Sequence, residues 1–115
     1  MTTSGATGDE LVEMLAALSN PLRLRIVAQL VDGHDYVSHL AREIGISRPL
    51  LHMHLQRLEA AGLVVGTLEL GPDGKAMKYF ELAPIDLHLT APTLAAAAAT
   101  LTRPDPPGPD RKETL

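Results

Sequence analysis

The 115-residue chain has no cysteine. Disulfides, thiolate metal sites and cysteine nucleophiles are therefore excluded. It has no tryptophan and only 3% aromatic residues, so its core must be mainly aliphatic. No run approaches the roughly 20 apolar residues that a helix needs to cross a bilayer. The opening "MTTSGATGDE" lacks a basic segment followed by an apolar one, so no signal peptide is visible. The expectation is a cytoplasmic, single-domain protein with no membrane partner. Catalytic signatures are missing too. There is no Gly-rich phosphate loop, no His-Glu-x-x-His pair and no nucleophile elbow, and nothing arranges two carboxylates or a Ser-His pair. An enzyme is not expected.

Positive charge is in deficit, with 10 Lys and Arg against 14 Asp and Glu and a formal net charge of −4. That balance runs against the basic character usual in nucleic-acid binders. The charge is unevenly spread, however. Asp9, Glu10, Glu13, Asp32 and Asp35 lie before residue 40, whereas residues 42–78 hold Arg42, Arg48, Arg57, Lys75 and Lys78 against Glu43, Glu59, Glu69 and Asp73. Phosphate contacts respond to a local face, and a local face here can be positive.

Periodicity divides the chain into elements. Residues 1–8 are small and polar and are expected to be disordered; residues 9–102 form the folded domain; 103–115, proline-rich and charged, form a disordered tail. From Asp9, Leu11, Val12, Leu15 and Leu18 recur at helical spacing. Asn20 or Ser19 caps a second helix opened by Pro21, with Leu22, Ile26, Val27, Leu30 and Val31 on one side. "DYVSHLAREIG" reads as a short third helix with Val37, Leu40, Ala41 and Ile44 inward, ended by Gly45. Ser47 then caps a fourth helix that carries Pro49 in its first turn and closes at Gly62. "LVVGTLEL" and "AMKYFEL" flank the turn signal "GPDGK", which predicts a β-hairpin. Residues 85–101 are alanine-rich and helix-prone, with Pro92 either kinking that helix or lying near its start.

This order gives an α+β, mainly helical fold: a winged helix-turn-helix with a two-stranded wing and a C-terminal dimerisation helix. The tight "EIGIS" turn makes its two helices cross steeply, so the second can project from the body. In "ISRPLLHMHLQRLEAAGL", Leu51, Leu55 and Leu58 form the stripe that faces the core, with His54 on its flank in local packing. Facing away are Arg48, Pro49, His52, Met53 and Gln56. Such a face offers a bidentate donor for guanine, an amide for adenine and apolar groups for thymine methyls. The blander reading is an ordinary surface helix. The neighbouring hairpin favours DNA, because Gly74, Lys75 and Lys78 in a flexible wing suit phosphate contact. The expected DNA-binding set is Ser47, Arg48, Pro49, His52, Met53, Gln56, Lys75 and Lys78.

"LSNPLRLRIVAQLV", "HLAREIGISRPLLHMHLQRLEAAGLV" and "GKAMKYFEL" resemble the ArsR/SmtB family of winged-helix transcriptional regulators, over about residues 9–90. The resemblance implies a homodimer joined through the first and last helices, with each fourth helix in the major groove of an inverted-repeat operator. It also implies release from DNA by a metal or another inducer. One family metal site uses two cysteines in the third helix, where this chain has Tyr36 and Ser38. Another joins an Asp-x-His pair on the last helix to a pair from the partner. Here "DLH" supplies Asp86 and His88, beginning two residues later than the family pattern, while Ala99 and Thr102 occupy the downstream positions. His34, Asp35 and His39 form a second candidate group, with donors suited to nickel, zinc or cobalt. Scattered surface histidines are the plainer explanation. A transition-metal cofactor, nickel or zinc, is thus carried as an expectation on Asp86, His88, His34, Asp35 and His39. The alternatives are a metal-independent regulator and a protein-binding winged helix controlled by a co-regulator protein.

Overall fold

The computed structural model describes residues 6–102. The expectations of disorder at 1–5 and 103–115 lie outside that range. Within it, the first helix begins inside the segment expected to be disordered. Helix α1 spans Gly8–Leu18 and is opened by a capping box, with the Thr7 hydroxyl accepting from the Glu10 amide at 3.1 Å and the Glu10 carboxylate accepting from the Thr7 amide at 3.0 Å. A tertiary contact holds this start. The Gly8 amide donates to Thr100 Oγ1 at 2.7 Å, and a Cβ on Gly8 would clash with the Ala97 carbonyl oxygen.

Helix α2, Pro21–Gln29, is capped by Asn20, whose Oδ1 accepts from the amides of Leu22 (2.8 Å) and Arg23 (3.2 Å). Ile26 and Leu30 are buried as expected, but Val31 is 66% exposed. The helix ends at Gln29, and the chain turns through Val31, so that side chain leaves the helical register.

Asp35 and Tyr36 are not helical. They form strand β1 and pair antiparallel with β3, Tyr36 opposite Tyr79 and Asp35 opposite Phe80. Helix α3 is Val37–Ile44 and ends at Gly45, whose φ of 84° is the left-handed conformation that glycine adopts without strain. Two residues on, Ser47 caps helix α4, Arg48–Ala60. Strands β2 (Val64–Leu70) and β3 (Ala76–Leu82) form the hairpin, in register from Val64↔Leu82 to Leu70↔Ala76. The expected two-stranded wing therefore gains a third strand, in the order β1-β3-β2. Gly66 sits beneath Phe80, where a Cβ would come within 2.7 Å of the ring.

The last helix is shorter than the alanine-rich run suggested. Helix α5 covers Ala91–Ala98, with Pro92 in its first turn and Thr90 as its cap. Residues 85–90 are not helical, because a helix running on through Pro92 would lose the hydrogen bond to the carbonyl four residues back and clash with it, while Thr90 caps the start that Pro92 tolerates in its first turn. Ile26, Leu30, Leu40, Leu51, Leu55, Leu58, Leu63, Val64 and Phe80 make one core. It is aliphatic apart from a single ring.

Candidate nucleic-acid interface

Helix α4 separates its residues by chemistry. Leu51, Leu55 and Leu58 are each 0% exposed, and burying a leucine contributes about 1.5–3 kcal/mol. Three such anchors fix the helix's rotation about its own axis. The opposite face is thereby presented to solvent: Ser47, Arg48, Pro49, His52, Met53 and Gln56 are all exposed. Positions 48, 52 and 56 follow one another at four-residue spacing, as do 49 and 53, so they share one side. Ser47 also has a structural duty, its hydroxyl accepting from the Leu50 amide at 3.3 Å. At about 20 Å long, the helix can lie along a groove about 12 Å wide.

Lys75 and Lys78 are both exposed on the hairpin, but they differ in setting. Lys75 closes the turn, its amide donating to Asp73 Oδ1 at 3.1 Å. Lys78 lies on β3 with its Nζ 5.3 Å from the centre of the Phe80 ring, so its ammonium is drawn back toward the sheet.

His54, expected on the flank of the stripe, is buried at 4% exposure. Its Nδ1 lies 3.0 Å from Arg23 Nη1, and Arg23 Nε donates to the Ala17 carbonyl at 2.6 Å. Burial, and then the Arg23 charge, lowers the His54 pKa below the ordinary histidine value. The sequence signal for His54 was its place beside Leu55 on the apolar side of the wheel. For Arg23, 31 residues away in sequence, there was none.

The metal candidates fall into two unconnected places. His34 packs on Tyr79 with ring centres 4.4 Å apart and meets Tyr36 edge-on. Asp35 Oδ2 is 2.7 Å from His39 Nδ1, and His39 Nε2 is 3.6 Å from Glu43, so both nitrogens of that ring face carboxylates. Asp86 and His88 do pair, at 3.1 Å, but on the extended segment before α5 instead of on a helix, and both are exposed. Among the described residues no three His, Asp or Glu side chains converge on a point that could hold a metal. The described residues do not fit a metal site within one chain. A further polar contact went unforeseen: the Tyr36 hydroxyl donates to Glu69 at 2.8 Å, tying β1 to the wing and raising the Tyr36 pKa.

Helices α1 and α5 pack together and leave an apolar surface. On the first helix, expected to join a partner, Leu11 and Leu18 turn inward, Leu11 being buried and Leu18 packing on the core. The outward residues are Val12, Leu15, Leu94 and Leu101, at 36–58% exposure. Between α1, residues 87–89 and α5 lies a cavity of about 320 Å³ lined by Leu11, Leu87, Leu89 and Ala97 among others.

A short helix, a glycine turn, a projecting helix with an exposed polar face and a β-hairpin that exposes two lysines define a winged helix-turn-helix protein. Residues 20–65 match the family described as "Bacterial regulatory protein, arsR family". The chain is 36% identical over 89 residues to the HTH-type transcriptional regulator CmtR of Mycobacterium tuberculosis, covering 77% of this chain and 70% of that protein. It is 41% identical over 61 residues to the HTH-type transcriptional regulator MJ0229 of Methanocaldococcus jannaschii, covering 53% of this chain and 64% of that relative, which is under two thirds of its length. Among solved structures, a Mycobacterium bovis fragment described as a homodimeric winged helix-turn-helix DNA-binding domain superposes with a TM-score of 0.56 at 26% identity, over 66% of each chain. The transcriptional repressor BigR of Xylella fastidiosa gives 0.55 at 27%, over 79% of each. This chain belongs to the ArsR family of transcriptional regulators. It is a DNA-binding regulator and not an enzyme.

Proposed function

We propose that the protein acts in the cytoplasm as a homodimer that reads an inverted-repeat operator. Each α4 lies in a major groove and each wing rests on the flanking phosphates. The observation that carries this reading is the division of α4: three fully buried leucines on one side and Arg48, Pro49, His52, Met53 and Gln56 exposed on the other. In this reading Arg48 and Gln56 read base edges, Met53 and Pro49 touch thymine methyls, and Ser47 and His52 flank them. Lys75 and Lys78 contact phosphates and position the helix without reading sequence. The net charge of −4 does not oppose this, because phosphate contact depends on the local face, and residues 42–78 hold five basic side chains against four acidic ones.

A second chain is supported by Val12, Leu15, Leu94 and Leu101, apolar side chains left exposed on or beside two helices that pack together. A two-fold dimer would place two α4 helices in one arrangement and so demand a two-fold operator. Nickel or zinc as an effector has a narrower basis, the exposed Asp86–His88 pair. Two ligands per chain leave a tetrahedral site dependent on the partner.

The test is a gel-shift series on duplex DNA from just upstream of the protein's own gene, with and without Ni(II) and Zn(II). Arg48→Ala should cost about 1–3 kcal/mol on the preferred sequence and relax the preference at one position per half-site. Unchanged affinity for Arg48→Ala would place the reading face elsewhere.

A further inference from the structure

One side chain joins three helices. Arg23 on α2 donates through Nε to the Ala17 carbonyl near the end of α1, at 2.6 Å, and its Nη1 lies 3.0 Å from His54 Nδ1 on α4. A guanidinium has donors only, so His54 Nδ1 must be the acceptor and the ring's single proton sits on Nε2. We propose that the Arg23–His54 pair positions the DNA-reading helix and makes operator binding sensitive to protons. With His54 neutral, one guanidinium ties the end of α1 to α4; protonating His54 breaks that tie. The inference rests on the operator-reading role of α4 and adds a control to it.

The chemistry leaves little freedom. A proton on Nδ1 removes the acceptor and sets a second positive charge 3.0 Å from the first. His54 is 4% exposed, so water cannot screen the pair well. The guanidinium must then move off, and because the same group holds the Ala17 carbonyl, that bond is lost as well. Burial and Arg23 both favour the neutral ring, so the tie is intact near neutral pH.

Among the described residues no carboxylate acts on this ring. Helices α1, α2 and α3 and strand β2 pack on α4. Glu13 of α1 and Arg57 of α4 line, with Ala17, the groove at the α1–α4 contact. Arg25 and His52 are exposed, and the buried residues of α3 and β2 are Leu40, Ala41 and Val64. The charge that acts on the ring is Arg23.

The sign is diagnostic. Added positive charge on the exposed face of α4 would strengthen binding to phosphate. Breaking the tie weakens it.

The experiment measures fluorescence anisotropy of the full chain on the upstream duplex from pH 7.5 to 5.5 at constant salt, for wild type, His54→Gln and Arg23→Gln. Amide NMR spectra without DNA are titrated over the same range. Wild type should lose affinity toward the acid end of the range, as pH approaches the lowered His54 pKa, and by no more than about tenfold per pH unit. His54→Gln keeps an acceptor that does not titrate, so its affinity should no longer fall. Arg23→Gln should bind less tightly at pH 7.5, with His54 titrating at higher pH. In the wild-type spectra the amides of residues 16–19 should shift with the His54 ring. A flat wild-type profile, or the same fall in His54→Gln, overturns the proposal, as do residue 16–19 amides that ignore His54. If wild type binds no DNA at pH 7.5, the operator reading fails, and the amide titration alone then decides whether the helices are coupled through His54.

Discussion

The two wing lysines should affect DNA binding unequally, and the structure says in which order. Each neutralised phosphate contributes about −0.9 to the slope of log affinity against log salt. A homodimer carries two copies of Lys75, so Lys75→Ala should flatten that slope by about 1.8. Between about 50 and about 200 mM salt the wild type should therefore lose about twelvefold more affinity than the variant. Lys78→Ala should flatten the slope less, because its ammonium is held 5.3 Å from the Phe80 ring instead of standing free at the turn. It should instead cost about 0.5–1 kcal/mol of folding stability through the lost cation–π contact. Neither substitution should alter which sequence is preferred, since phosphate carries no base information. The assay is anisotropy on the upstream duplex and on a scrambled duplex at four salt concentrations, with urea unfolding alongside. An unchanged slope for Lys75→Ala would refute the placement of the wing on the backbone. A larger effect at Lys78 than at Lys75 would refute the reasoning from the Phe80 contact.

Leu55→Ala removes a side chain with 0% exposure from the stripe that holds α4 and should cost about 2–5 kcal/mol in urea unfolding; a loss below about 1 kcal/mol would mean that α4 is anchored elsewhere. Leu94→Asp puts a charge on the exposed α1–α5 face and should turn a dimer into a monomer in sedimentation at micromolar concentration; a wild type that already sediments as a monomer would remove the dimer. His54 has a lowered pKa, so its contribution to stability is present above the unfolded value of about 6.5 and is lost as pH falls through the folded value. Stability should drop below about pH 6.5 by more in wild type than in His54→Gln, and parallel curves would count against the buried neutral ring. Calorimetry with Ni(II) and Zn(II) should give a weak binding step that His88→Ala removes, because Asp86 and His88 are two exposed ligands with no third donor beside them among the described residues; identical isotherms would take His88 out of the site, and no heat in either would end the metal reading.

Much of the reading helix was legible in one dimension. Its signals are local: Ser47 capping, Pro49 in the first turn, leucines at 51, 55 and 58, and Gly45 supplying the positive φ that lets two helices meet across two residues. Each acts within about one helical turn, a range over which backbone preference and side-chain spacing are read directly from residue order. The hairpin was equally plain, because strand alternation around "GPDGK" is also a neighbour effect. The exposed face of α4 followed as the complement of its buried one.

The rest depended on partners distant in the chain. Strand β1 is two residues long and has no pattern of its own; it exists because Tyr36 finds Tyr79 across 43 positions. Gly8 and Thr7 are ordered at a helix start because Thr100 comes back to meet them. Leu11 and Val12 were equal candidates for the inside on spacing alone, and only the position of α5 turns Leu11 in and Val12 out. Asp86 and His88 looked like ligands on a helix until Thr90 and Pro92 set that helix's start downstream of both. His54 illustrates the limit most sharply. Its place on the wheel follows from spacing, but its charge state is set by Arg23, brought to it by the packing of α2 on α4. Spacing reports which side of an element a residue occupies; what waits on that side is a property of the assembled core.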